Sequence, residues 1–115
     1  TPLQALVTLN DPQFVEAARM LGERMMKEAG PDPLERMSYA FQLATARKPA
    51  GEECTVLVDT FAAQLKTYRD KPDAALELLS VGEAKRDESL DAAELAAYTT
   101  IASMILNLDE TVSKG

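Results

Sequence analysis

The sequence predicts an all-α fold, a single compact bundle of about six helices with the last helix at its centre. Two observations carry this. Cap and breaker residues divide the 115-residue chain into segments whose apolar positions recur at three and four. No stretch shows the period-two alternation with β-branched enrichment that marks a strand.

Thr1-Pro2-Leu3-Gln4 is a capping box with proline in the first helical position, so a short helix is expected from Thr1 to about Leu9. Asn10 suits a left-handed C-terminal position, Asp11 can cap the next helix, and Pro12 falls in its first turn. The second helix, about Pro12 to Ala29, carries Phe14, Ala17, Ala18, Leu21 and Met25 as its expected inward face, and Gly30 ends it. Asp32-Pro33-Leu34-Glu35 opens a third, with Leu34, Met37, Phe41 and Ala44 as its stripe, before Lys48-Pro49 breaks the pattern. The fourth, about Gly51 to Arg69, has the clearest face: Cys54, Leu57, Val58, Phe61, Leu65 and Tyr68.

A fifth, short helix is entered at Pro72 and ended at Gly82, with Ala75, Leu78 and Leu79 inward. Gly82 to Asp91 has no periodicity and reads as an exposed charged loop. Asp91-Ala92-Ala93-Glu94 resembles a capping box, and the run Leu95 to Leu108 that follows has no charge in its 14 residues. A helix apolar nearly all round is buried on several sides, which places this one at the centre. The run is too short for a membrane span, which needs about 20 apolar residues.

Composition bounds the chemistry. Net charge is −7 and the pI about 4.5, which opposes a phosphate-backbone partner, since nucleic-acid binding requires a basic surface. The excess is uneven: residues 1–48 carry six basic and six acidic groups, residues 49–115 six and thirteen. With no histidine, the usual neutral-pH base, zinc ligand and nucleophile activator are missing. Cys54, the single cysteine, cannot form an intrachain disulfide. No catalytic, cofactor-binding or metal site is predicted.

The other charged groups have local explanations. Glu52 and Glu53 fall in the first turn of the fourth helix, where the helix dipole favours negative charge, and Arg47-Lys48 lie at the end of the third, where it favours positive charge. Asp59 completes no acid–base pair. Asp87, Glu88 and Asp91 lack the glycine and ligand spacing of a calcium loop. Met20, Met25, Met26, Met37 and Met104 are expected to fill the core.

The run from Thr1 to Arg19 (TPLQALVTLNDPQFVEAAR) closely resembles a signature of a planctomycete-type domain-of-unknown-function family. Arg47-Lys48-Pro49 with Glu52-Glu53, then Val81-Gly82-Glu83, then Asp91 to Ala97 leading into Leu106 to Glu110, fit the same pattern in order. The resemblance implies that this chain is the C-terminal part of that domain, within a large exported protein that often carries a cytochrome c-like module. It further implies a periplasmic or cell-envelope setting. Tyr98 departs from the pattern, where tryptophan is common, and no Cys-x-x-Cys-His haem attachment sequence is present. The family carries no activity to transfer.

The chain opens on a helix start signal, and we read it as a fragment of a longer protein. Leu3, Leu6, Val7 and Leu9 give the first helix more apolar surface than one neighbour covers, so Leu3 and Leu6 are the expected docking surface for upstream domains, or for self-association of the isolated fragment. The functional expectation is a non-catalytic helical module. The alternative is one wall of an active site in an exported redox or polysaccharide-processing enzyme, recognisable by a polar cleft that this segment presents but cannot complete.

Overall fold

Three aspartates start three of the helices. The structure, a computed structural model, describes residues 11–114, the last six by backbone alone. Its helices are α1 (Pro12–Glu28), α2 (Pro33–Thr45), α3 (Gly51–Asp70), α4 (Pro72–Leu79) and α5 (Ala92–Lys114). The helix expected over Thr1 to Leu9, with Leu3 and Leu6, lies outside the described residues.

Asp11 accepts the Gln13 N–H at 3.0 Å, Asp32 the Glu35 N–H at 3.1 Å, and Asp91 the Glu94 N–H at 2.9 Å. Each satisfies one of the amide groups that a helix start leaves without a partner. The start of α3 has no such side chain, and Glu53 instead reaches back to the Ala50 N–H at 2.8 Å. Proline fixes φ at the openings of α1, α2 and α4. Between α1 and α2 the chain passes through Gly30 at φ +79°, and α2 ends one turn before Lys48-Pro49 because Ala46 turns left-handed at φ +63°.

α5 packs against each of the other four helices, with its most extensive contact to α1, so it is the central element as the uncharged run predicts. Leu95, Ala96, Ala97, Tyr98, Ile101, Ala102 and Ile105 are fully buried. Removing a large aliphatic side chain from water contributes about 1.5–3 kcal/mol, so this helix alone accounts for much of the core. Its buried aliphatic hydroxyls find partners within the helix. Thr99 donates to the Leu95 carbonyl at 2.7 Å and Ser103 to the Thr100 carbonyl at 2.6 Å.

The inward face of α1 is rotated from the expected one. Val15, Ala18, Arg19, Gly22 and Met25 are buried, whereas Ala17 is exposed and Phe14 and Leu21 are half-buried. Gly22 accounts for the difference: a Cβ there would lie 3.3 Å from the Thr99 backbone nitrogen, so the helix pair closes on the residue without a side chain. Two apolar residues expected inward are also displaced. Leu34 is exposed in the first turn of α2, and Val58 is exposed beside Leu57, which takes the core position together with Phe61. Of the five methionines Met25, Met37 and Met104 are buried and Met26 packs on the core, while Met20 is exposed.

Candidate functional site

The most distinctive chemistry among the described residues lies at three arginines, each closing a junction between elements. Arg19 is the most deeply placed, with 1% of its surface exposed. It projects from α1 beneath the 82–91 connection, donating to Glu23 at 2.7 Å and to the Ala84 carbonyl at 2.9 Å, with Glu16 at 3.9 Å. A buried guanidinium is tolerated only when paired, and here two carboxylates one turn to either side supply the negative charge. Its Nε is buried without a hydrogen-bond partner.

The connection is largely exposed, as its composition suggests, and is also laced to α1. The Ala84 N–H donates to Glu16 at 2.5 Å, the Asp87 N–H to Glu23 at 2.9 Å, and Lys27 meets the Asp87 carboxylate at 2.5 Å. Lys27, followed by two hydrogen bonds from Ser89, holds the Asp87 carboxyl well below the usual carboxylate range. Asp91 is engaged as a helix cap and lies 3.7 Å from Arg69. The three acids singled out in this stretch do not converge on a common point as cation ligands would.

Arg36 closes the α1–α2 junction. It donates to the Gly30 carbonyl at 2.7 Å and the Met26 carbonyl at 3.3 Å, which satisfies acceptors left open at the end of α1. Its guanidinium also lies over the Tyr98 ring at 5.3 Å and donates to the Tyr98 hydroxyl at 3.3 Å. Phe61 stacks on the same tyrosine with ring centroids 4.4 Å apart. Burial pushes the Tyr98 phenol up, and the hydrogen bond from Arg36 opposes this only in part, so at neutral pH the group stays protonated and serves packing rather than proton transfer.

Arg47 closes the α2–α3 junction with a two-pronged bond to Glu53, at 2.8 and 2.9 Å, while lying 4.8 Å over the Phe41 ring. Arg47 holds the Glu53 carboxyl below its ordinary value. The two charges that the sequence assigns separately to two helix ends are partners of each other. Glu52 and Asp59 join no such pair among the described residues. Cys54 is half-buried, its thiol 3.8 Å from the Pro49 carbonyl.

Among the described residues there is no group of three or more His, Cys, Asp or Glu side chains placed to hold a metal ion. No described helix is long and apolar enough to cross a membrane. Two grooves among the described residues border these elements. One, of about 420 Å³, mixes polar and apolar surface and is lined by Asp11, Pro12, Gln13, Glu16, Gly82 and Glu83. The other, of about 470 Å³, lies between α3, α4 and the start of α5 and has Tyr68, Pro72, Ala75, Leu76 and Ala92 in its wall.

No curated protein and no solved structure matches the chain. A family profile matches residues 1–61, which span α1, α2 and the first half of α3, while the resembling pieces at Val81-Gly82-Glu83 and beyond Asp91 lie outside the matched region. The matched part is more than half of the 115 residues, and the chain belongs to the PSD1 family, described as proteins of unknown function (DUF1553).

Proposed function

We propose that the chain is a non-catalytic helical module that packs against upstream domains of a large exported protein, in the periplasm or cell envelope, as the C-terminal part of its domain. One observation carries the reading. The buried Arg19, the half-buried Arg36 and the exposed Arg47 are each paired inside the chain, to Glu23, to Glu94 at 3.8 Å and to Glu53. Charge arranged this way serves the junctions between helices, and none of these three arginines is left over for a substrate. Leu3 and Leu6 are the proposed docking surface.

The test is to replace Leu3 and Leu6 together by glutamate and to measure association with the separately expressed upstream region. Association is expected to be lost while the helical circular-dichroism signal stays. Unchanged affinity overturns the docking role. Sedimentation of the isolated chain at rising concentration, with and without the same substitutions, reads whether this surface also drives self-association.

A second reading, one wall of an active site completed by other domains, is favoured by the groove that gathers the carboxylates Asp11, Glu16 and Glu83. If it is correct, replacing Glu83 by glutamine lowers an activity of the full-length protein without changing the stability of the chain. Equal activity of the variant and the parent rejects it.

A further inference from the structure

Glu16, Arg19, Glu23 and Lys27 recur at spacings of three, four and four, and so form one stripe of alternating charge along α1. The 82–91 connection meets that stripe in matching order. The Ala84 N–H faces Glu16, the Ala84 carbonyl faces Arg19, the Asp87 N–H faces Glu23, and the Asp87 carboxylate faces Lys27. Each charge on the helix meets a dipole or charge of opposite sign on the strap.

The close approach depends on Gly82. Its φ is +95°, and a Cβ there would lie 2.7 Å from the Glu16 carboxyl carbon. Apolar attachment is thin by comparison. Residues 82–85 are exposed, and within 82–91 the apolar side chain packed on a core cluster is Leu90, at the far end. The closed arrangement also leaves the Arg19 Nε buried and unpaired, a desolvation cost that water would relieve on opening.

We propose that the 82–91 segment is a salt-sensitive latch, released from α1 as one unit while the helical bundle stays folded, and that its release opens Arg19 to solvent. Segments with few buried apolar contacts and exposed hydrogen bonds open at lower free energy than core helices. Contacts between partly exposed charges are also screened by salt. Release removes the polar contacts that hold the segment following α4 to α1, while the buried Ala75 and Leu79 keep α4 on α5.

Amide hydrogen exchange read by NMR on the unaltered 115-residue chain tests this, with intrinsic rates corrected on an unstructured peptide at each salt concentration. Between 50 mM and 1 M sodium chloride, the Ala84 and Asp87 amides are expected to speed up together by about three- to tenfold, while the Ile101 and Ile105 amides show no such acceleration. Glu23→Gln is expected to give the same acceleration at low salt. The proposal is overturned if Ala84 and Asp87 exchange only at the rate of the α5 core, if the two amides respond to salt independently, or if salt leaves both unchanged. Because the salt series requires no substitution, a variant that failed to fold would not remove the test.

Discussion

α5 and the strap that leads into it are neighbours in sequence and hold their places by opposite means. The helix is fixed by apolar side chains that contact all four other helices, and its buried Thr99 and Ser103 bond within the helix. The strap is fixed by backbone groups and a charge that meet α1 residues 60 to 68 positions away. Apolar burial is non-directional and tolerates small adjustments. A register of alternating charges holds only when every partner is in line.

The comparison can be broken first on the helix. Ile105→Ala truncates a fully buried aliphatic and is expected to destabilise the fold by about 2–5 kcal/mol in denaturant unfolding. A loss no larger than that of a surface substitution would remove α5 from the centre. Gly22→Val probes the closest helix approach. Its side chain meets the Thr99 backbone rather than a flexible side chain, so a loss of about 1–3 kcal/mol is expected from overpacking. If the variant unfolds at the parent's denaturant midpoint, α1 has room to retreat and the rotated inward face needs another cause.

Smaller effects sharpen the boundary between helix and strap. Asp91→Ala removes the cap of α5 and its contact to Arg69, and thermal unfolding should report a loss of about 0.5–2 kcal/mol. The smallest effect at neutral pH is expected from Lys27→Met, whose consequence appears in acid. Because Lys27 depresses the Asp87 carboxyl in the folded state, the stability from this pair is present above the unfolded carboxyl value near ~3.9 and is lost as pH falls below it. The variant should therefore show a shallower acid limb. An NMR titration placing the parent's Asp87 at that ordinary value would contradict the tight pairing with Lys27.

What could be read in advance divides along the same line. Asp11, Asp32 and Asp91 announce their helices because a cap is a contact within three residues, and the run Leu95 to Leu108 announces a central helix by lacking charge. The inward face of α1 was legible only in part. A pattern that ranks residues by apolarity favours Phe14 and Ala17 over Arg19 and Gly22, yet the glycine is buried for its small size and the arginine because one distant carbonyl and two nearby carboxylates receive it. Leu34 and Val58 match the helical period but are left exposed, which depends on where the other helices pack and not on the period. Arg47 and Glu53 could be recognised one at a time from the helix dipole. Their pairing needed the turn at Ala46 that brings the ends of α2 and α3 together.

The central position of α5 also sets an order of events during synthesis. It is the last of the described helices to leave the ribosome, and it is the one that every earlier helix packs against. Until residues near Leu108 emerge, α1 to α4 present Met25, Met37, Phe41, Leu57 and Phe61 with no central helix to receive them. At elongation rates of about 5–20 residues per second, the stretch from Asp91 to Leu108 takes on the order of one to four seconds to appear. For that interval the nascent helices hold apolar surface that a chaperone can cover, and pausing within the codons for α5 would lengthen its exposure.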